Sequence, residues 1–218
     1  MYLPSYFEET RVDALHELMR ERPLATLVTL AAEGLVANHI PLEIDPEPAP
    51  FGTLIGHVAR ANPVWRDFSP DVLALAVFQG PQAYVSPSWL ATKTETGKVV
   101  PTWNYVVVHA HGPLRVIDDV AWLRAFVERL TNRHEATRPQ PWKVADAPAE
   151  YVETQLRAIV GIEIPVQKLV GKWKASQNRT EADREGIRQA LAQAHDADGS
   201  AMARVMSPAA SRDRHDPK

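Results

Sequence analysis

Two short segments of this sequence carry side chains that are suited to binding an anion. The first is Arg60-Ala61-Asn62-Pro63, where Asn62 is a favourable N-cap and Pro63 a favourable first helical residue. A helix that begins here presents free backbone N–H groups beside the Arg60 guanidinium, and these groups together can hold a phosphate. The alternative is that the pair only begins a helix and that Arg60 points into solvent.

The second segment is residues 172–179, which holds the cations Lys172, Lys174 and Arg179. It leads into a helix that we predict to be capped by Thr180. Three cations among eight residues either bind a negatively charged group or form an exposed basic loop, and the segment alone leaves both readings open.

Residues 99–112 contain the strand around which we expect the fold to be organised. Their β-branched and aromatic content predicts a strand from residue 102, which Pro101 and Gly112 confine to about ten residues. Alternation places two aromatic rings and two imidazoles on one face and two hydrogen-bonding side chains on the other: Trp103, Tyr105, His109 and His111 against Thr102 and Asn104. Such a strand is typical of a pocket wall.

The same strand raises the question of a metal site. His109 and His111 are two residues apart and share a face, so they could chelate a metal together with His39 or His57. No carboxylate accompanies them at a suggestive spacing. We therefore predict no metal site and expect these imidazoles to pack in the core or to bond to the backbone.

The elements before this strand read as a sheet that begins with a meander. We predict a helix that follows Thr10 and ends before Pro23, and a strand pair with a four-residue turn in which Gly34 takes a positive φ. The further predicted segments are strands at 53–58, 71–79 and 83–86, with a turn at Gly80-Pro81, and a mobile loop at 92–98.

The elements after the central strand are mostly helical. We predict a helix capped by Asp118 or Asp119 and ending near Asn132, a second helix over 148–160, strand periodicity over 162–173, and a last helix after Thr180. The small and charged residues that follow predict a flexible tail. The domain prediction is a single domain over residues 1–196 and a tail over 197–218.

The composition limits what this domain can do. A net charge of −3 supplies no general attraction to nucleic acid or to an anionic membrane. The absence of cysteine excludes a disulfide framework, a thiolate metal site and a Cys nucleophile, and it fits a reducing cytosol. The longest apolar run, residues 72–78, is far shorter than a membrane span. We expect a soluble, cytoplasmic protein.

Six motifs in order along the chain carry a family resemblance. They are Met1-Tyr2-Leu3-Pro4, Asn38-His39-Ile40-Pro41-Leu42, Gly56-His57-Val58-Ala59-Arg60-Ala61-Asn62-Pro63, Ala83-Tyr84-Val85-Ser86-Pro87-Ser88-Trp89, Val100-Pro101-Thr102-Trp103-Asn104-Tyr105 and Ser176-Gln177-Asn178-Arg179. Together they resemble the PaiB-type family, known as FMN-binding negative transcriptional regulators. The resemblance implies an α+β fold, the FMN-binding split β-barrel related to the pyridoxamine-phosphate oxidase and flavin reductase group. It also implies a homodimer with FMN held where the subunits meet.

The resemblance also implies a set of cofactor contacts. Arg60 and Asn62 fall near the FMN phosphate, Trp103 and Asn104 suit the ring pocket or the opposite subunit's wall, and the strands around Asn38 border the isoalloxazine. Phosphate or ribityl contacts are implied for Lys174, Gln177 and Asn178. The full predicted set is Thr26, Val28, Thr29, Asn38, His39, Ile40, His57, Arg60, Ala61, Asn62, Trp103, Asn104, Lys174, Gln177 and Asn178. No residue is assigned a catalytic role.

Three kinds of function fit these expectations. An FMN-dependent oxidoreductase would pass electrons between NAD(P)H or another reductant and a small acceptor, a regulator would use the flavin as a sensor, and a third kind of protein would only store FMN or bind a partner. The segment 179–196 carries three arginines against four acidic residues, which does not favour a DNA-recognition helix. We expect a flavin-dependent redox or flavin-sensing role, with a negative transcriptional regulator acting directly on DNA as the alternative.

Overall fold

The computed structural model describes residues 1–194 and 196–207. The strands in these residues are β1 (Glu8–Glu9), β2 (Leu24–Ala31), β3 (Gly34–Pro41), β4 (Glu43–Asp45), β5 (Thr53–Ala59), β6 (Ala74–Val85), β7 (Thr102–Gly112), β8 (Arg115–Ile117), β9 (Ile159–Pro165) and β10 (Lys168–Lys174). The α-helices are α1 (Val12–Glu21), α2 (Thr92–Thr96), α3 (Val120–Glu135), α4 (Ala149–Arg157), α5 (Glu181–Ala192) and α6 (Ala197–Val205).

The chain forms two compact units, each built from several segments. Unit 1 contains Met1–Leu18, Phe78–His109 and the described residues from Val170 to Ser207, and unit 2 contains Met19–Val77 and Ala110–Leu169. Strands β6 and β7 contribute residues to both units. The prediction of a single domain over residues 1–196 stays a prediction.

Unit 1 is organised on the predicted central strand. Strand β7 lies between β10 and β6, and β10 also pairs with the short β1. The predicted alternation of faces is confirmed, since Asn104, Val106 and Val108 are buried while Trp103 and Tyr105 are at least partly exposed. The face that carries Asn104, Val106 and Val108 is therefore the core side of the strand.

Unit 2 contains a hairpin and a four-stranded sheet. Strands β2 and β3 pair antiparallel over their full length, and β2 also pairs with the start of β6. The second sheet has the order β4-β5-β9-β8, and a cluster formed by α3, α4 and the segment between them packs beside it: Leu123, Val144, Val152 and Leu156. Asp119 caps α3 as predicted, because its carboxylate accepts from Trp122 N at 2.8 Å.

The predicted turns and loops needed correction. The β2–β3 hairpin pairs Ala31 with Gly34, so its turn has two residues, although Gly34 takes the expected positive φ of 124°. Gly80-Pro81 does not turn, because it lies inside the continuous strand β6. A Cβ on Gly80 would approach Leu18 and Val106 to 2.9 Å, so this glycine serves close packing. Likewise, the single strand predicted over 162–173 is divided between β9 and β10.

Two segments predicted to be unstructured contain helices. Residues 92–98 include α2, and the predicted tail includes α6, which Asp196 caps by accepting from Gly199 N at 2.6 Å. Met202 in α6 is fully buried. The prediction of a tail that cannot fold is therefore wrong for 197–205, and its remainder from 208 lies outside the described residues. Within the described part of the chain, no helix is long and apolar enough to cross a membrane.

Candidate functional site

The turn after β5 forms as predicted around Asn62. Pro63–Trp65 is a single 3₁₀ turn, and the Asn62 side-chain oxygen accepts from Val64 N at 3.0 Å. This bond fixes the orientation of the amide, so its nitrogen, which can only donate, is the atom turned toward the neighbouring strand. It donates to Asn38 Oδ1 on β3 at 2.9 Å, which ties the turn to the β2–β3 hairpin.

Two polar atoms on the Asn38 face of the hairpin have no hydrogen-bond partner among the described residues. Asn38 presents its oxygen to Asn62, so its Nδ2 is left as a donor, and this buried atom meets no acceptor among the described residues. In that same part of the chain, Thr29 Oγ1 on the neighbouring strand is also buried without a hydrogen bond, and Thr29 is only 4% exposed. We call Thr29, Asn38 and Asn62 the polar corner of unit 2. Unpaired buried polar atoms are costly and mark a site that a ligand or water can complete.

The Arg60 guanidinium is held by protein groups. It makes a two-pronged contact with the Asp118 carboxylate, at 2.9 Å from Nη1 and 2.5 Å from Nη2, and it also donates to the carbonyls of Arg157 and Ile159. Hydrogen bonding from Arg60 lowers the pKa of Asp118, and the same contact raises the pKa of Arg60. Groups in the described residues use four of the five guanidinium N–H groups, which leaves one that can bind another partner.

His57 and Ala61 complete the predicted group in this segment. The His57 ring lies edge-on to Phe126 of α3 at 5.7 Å, and burial lowers its pKa, which favours the neutral imidazole. Ala61 is exposed in the turn.

The predicted contacts on β2 and β3 divide between two faces. Thr26 pairs with His39, whereas Leu27 pairs with Asn38 and Ala25 with Ile40. Since paired residues share a face and neighbours alternate, one face carries Thr26, Val28 and His39, and the opposite face carries Thr29, Asn38 and Ile40. Their side chains cannot all border one ring, and only the second set includes residues of the polar corner, Thr29 and Asn38.

The remaining predicted contacts lie in unit 1. Trp103 is half exposed and donates from Nε1 to Gln82 at 3.1 Å, and its ring meets Tyr84 edge-on. Asn104 is fully buried, accepts from Ser176 Oγ at 3.1 Å and directs its Nδ2 to the Met206 sulfur at 3.7 Å. It behaves as a core residue with satisfied bonds.

The basic segment is also well ordered by its own contacts. Lys174 Nζ donates to Thr102 Oγ1 at 2.6 Å and to the carbonyl of Trp103. The Gln177 side chain closes the turn by accepting from Ala175 N and donating to the carbonyl of Trp173. Asn178 is exposed.

Sequence reasoning missed features of three residues that shape these groups. Asp118 was considered only as a helix cap, although it holds Arg60, and Ser176 takes a positive φ of 61° that its residue type does not predict. Lys172 was named only as one cation of the basic segment, and no local pattern predicted that it is buried. In the described residues no group of three or more metal-ligating side chains occurs.

Solved structures with the same fold define the class. A FAD and heme binding protein from Mycobacterium smegmatis superposes with a TM-score of 0.55 at 17% identity, covering 77% of this chain and 73% of that one. The flavocytochrome Anf3 from Azotobacter vinelandii gives 0.54 at 15% identity, with 84% and 78% covered. With its antiparallel sheets and flanking helices, the chain is an α+β protein of the FMN-binding split-barrel fold, as predicted.

Sequence comparison then gives the family. Residues 1–168 match the family described as "Putative FMN-binding domain". The Bacillus subtilis "Protease synthase and sporulation protein PAI 2" is 32% identical over 209 residues, covering 94% of this chain and 96% of that protein. An uncharacterized protein of Emericella nidulans is 35% identical over 224 residues, with 86% and 88% covered. The chain belongs to this family of FMN-binding domains, the PaiB-type family, and FMN is its cofactor.

Proposed function

We propose that this chain is an FMN-dependent redox protein in which the polar corner of unit 2 contacts the flavin. The observation that carries this proposal is a pair of buried atoms, Thr29 Oγ1 and Asn38 Nδ2, that have no hydrogen-bond partner among the described residues, on a hairpin face that Asn38 joins to the ordered Asn62 turn. Bound FMN supplies electron transfer in one- or two-electron steps, which no side chain of the corner can provide alone.

The chemistry of the corner fits a flavin. The polar edge of an isoalloxazine presents ring nitrogens and carbonyl oxygens, so it needs hydrogen-bond donors from the protein. Asn38 Nδ2 is a donor by the argument from Asn62, and a threonine hydroxyl can donate or accept. These two groups can orient the ring and change its electron affinity through the bonds they donate.

Arg60 orders the backbone that leads into the Asn62 turn. Its bonds to Asp118 and to the carbonyls of Arg157 and Ile159 hold the residues that lead into the Asn62 turn. A phosphate at Arg60 would have to use the one remaining N–H or displace the Asp118 carboxylate. We therefore assign Arg60 to positioning the turn, with any phosphate contact secondary to that role.

The test compares the two faces of strand β2. Thr29→Val removes the unpartnered hydroxyl with little change in volume, and Asn38→Leu removes the amide donor. We expect each to weaken FMN binding roughly 2- to 10-fold, the effect of one neutral hydrogen bond. Thr26→Val, on the opposite face of the same strand, is the matched control and should bind FMN like the unaltered chain. Binding is measured by quenching of flavin fluorescence.

Equal affinities for all three variants would contradict the assigned contacts. The redox role is tested on the FMN-loaded chain by adding NADH or NADPH without oxygen and following the visible flavin absorption. Bleaching followed by recovery with an electron acceptor is the expected result. If neither nicotinamide nucleotide nor another reductant of comparable potential bleaches the flavin, the redox role is wrong and a sensing or storage role remains. Chromatography of the released cofactor should show FMN and no FAD.

A further inference from the structure

We propose that Met202 and Met206 are oxidation sites that control the docking of helix α6 in unit 1. A peroxide converts their thioethers to sulfoxides, and this change releases α6 and uncovers the core side of strand β7. Both methionines lie within unit 1, together with Asn104 and Ser176. The inference therefore depends neither on FMN nor on the polar corner of unit 2.

The buried face of α6 consists of small residues and methionines. Gly199, Ala201, Met202 and Ala203 are buried in the helix, and the C-cap residue Met206 is 4% exposed. The two methionines are four positions apart, so they lie on the same side of the helix. Among these five residues, only the methionines are larger than alanine and can bury a large apolar area. The docking of α6 therefore depends mainly on two side chains that contain sulfur.

The helix needs this docking in order to persist. It has nine residues, and isolated helices shorter than about 12 residues are marginally stable in water. Its sequence includes Asp198, Gly199 and Ser200, which have low helix propensity. The Asp196 cap supports the first turn, but packing must supply the rest of the stability. Loss of the methionine contacts should therefore unfold α6 as well as detach it.

The sulfur of Met206 lies against a polar group in the core. Asn104 on β7 is fully buried, and its Nδ2 donates to the Met206 sulfur at 3.7 Å. The Asn104 oxygen accepts from Ser176 Oγ at 3.1 Å, and the amide turns its nitrogen toward the sulfur. Because a thioether is a weak acceptor, this contact compensates the buried N–H only in part. The end of α6 is therefore held by packing and by one weak polar contact.

A peroxide modifies such a sulfur by transfer of one oxygen atom. A lone pair of the sulfur attacks an oxygen of hydrogen peroxide, so that an S–O bond forms and the O–O bond breaks. The departing hydroxide takes up the proton of the transferred oxygen and leaves as water. The thioether is thereby oxidised to a sulfoxide while the peroxide is reduced. The oxidant comes from solution, and the step uses no acid or base from the protein.

The sulfoxide does not fit the place that the thioether occupied. It is larger by one oxygen atom and strongly polar, whereas Met202 is fully buried and Met206 nearly so. A hydrogen bond from Asn104 to the new oxygen offsets only part of the cost of burying this polar group. The oxidised chain should therefore favour the state in which α6 is undocked and the sulfoxides are hydrated.

The four methionines of the chain form an internal comparison for access of the oxidant. Met1 is 51% exposed and can react without any opening, whereas Met19 is fully buried in α1. A short helix with few large buried side chains opens locally at a lower free energy than that of global unfolding. Met202 and Met206 should therefore react more slowly than Met1 and faster than Met19.

The test treats the full chain with hydrogen peroxide, in the dark so that flavin photochemistry supplies no oxidant. Peptide mass spectrometry measures the oxidation of each methionine, and we expect Met202 and Met206 to react about tenfold or more faster than Met19. Hydrogen exchange of the amides in residues 197–206 should then rise about tenfold or more, while exchange in α1 stays unchanged. Methionine sulfoxide reductase should restore the slow exchange.

The double variant Met202→Leu with Met206→Leu is the matched control. Leucine is close to methionine in volume and forms no sulfoxide, so peroxide should leave the exchange of α6 in this variant unchanged. Met19→Leu should respond to peroxide like the unaltered chain. If the double variant fails to fold because Asn104 loses its acceptor, reversal by the reductase in the unaltered chain decides the question.

Two results would overturn the proposal. If Met202 and Met206 are oxidised no faster than Met19, α6 opens only when the whole chain unfolds. If both are oxidised and the exchange of residues 197–206 does not change, the core accommodates the sulfoxides beside Asn104 and oxidation does not control α6. Because Thr29→Val tests the polar corner separately, failure of either proposal leaves the other intact.

Discussion

At the level of single residues, the sequence-distant contact between Arg60 and Asp118 has the clearest consequence. The two side chains are 58 positions apart, and their contact holds the turn that carries Asn62. The Arg60 guanidinium also covers two carbonyls near the end of α4. A change at either partner should therefore act on the turn even though Asp118 lies outside the corner.

Arg60→Ala and Asp118→Asn should accordingly both weaken FMN binding. We expect FMN affinity to fall by up to about tenfold for Arg60→Ala, because all bonds from the guanidinium are lost. The loss of affinity should be smaller for Asp118→Asn, because its charge-assisted bonds become neutral ones. Titration of FMN against each variant measures this. If Arg60 acts mainly as a phosphate ligand, Asp118→Asn should instead tighten binding by releasing the guanidinium.

Short sequence patterns correctly predicted the residues that cap helices and turns, because a cap depends only on residues close by in the chain. The Asn62, Asp119 and Thr180 caps depend on residues two or three positions ahead, and all three form as predicted. The bond between Asn38 and Asn62 and the approach of Leu18 to Gly80 depend on chain folding, which spacing in the sequence does not encode. Gly80 was therefore interpreted as a turn, and Thr29 was predicted together with Thr26 although the pleat separates them.

At the level of elements, α5 fixes the segment that precedes the central strand. Asp183 in its first turn is 1% exposed and accepts from Thr92 N at 2.9 Å and from Thr92 Oγ1 at 2.8 Å. Burial opposes the charge of Asp183, but the hydrogen bonds from Thr92 and Thr180 and the charge of Arg179 together outweigh it, so the pKa of this carboxylate is lowered. The predicted mobile loop is thus anchored at its first residue.

Asp183→Asn should destabilise the chain by about 1–3 kcal/mol at pH 7, because one charged partner of Thr92 is lost. Since folding lowers this pKa, the stabilisation is present above the usual value of 3.8 and is lost as the pH falls through the folded value. Urea unfolding at several pH values should show the two proteins converging in acid. Glu181→Gln, in the same first turn but exposed, is the control, and an equal loss there would contradict the anchor.

At the level of the whole molecule, an exposed aromatic pair in unit 1 favours self-association. Trp103 and Tyr84 are 49% and 48% exposed and meet edge-on at 6.0 Å. Such rings on an open sheet face are more stable when a second subunit covers them. We predict a homodimer at micromolar concentration, measured by light scattering, and a monomer for Trp103→Glu. A monomeric unaltered chain that still holds FMN would refute the prediction.

DNA binding is predicted to be absent for the chain alone. Specific DNA complexes need several exposed cations on one face, yet Lys172 is buried, Lys174 is only partly exposed and the net charge is −3. On α5, Arg188 is paired with Glu185, whose pKa falls to about 2. Gel-shift measurements at two salt concentrations test this. A sequence-specific complex at nanomolar protein that weakens steeply with salt would support the regulator instead.

The contact between Asn104 and Met206 bears on where this chain can be cut. The amide of a fully buried residue in the central strand finds its partner in a thioether near the end of the described chain, and the neighbouring Met202 is also fully buried. A truncation after residue 196, where composition suggests a dispensable end, would leave that amide unpaired and open a void beside β7. Deleting this C-terminal helix is therefore equivalent to a core mutation, and shortened versions of the protein should retain residues through at least 207.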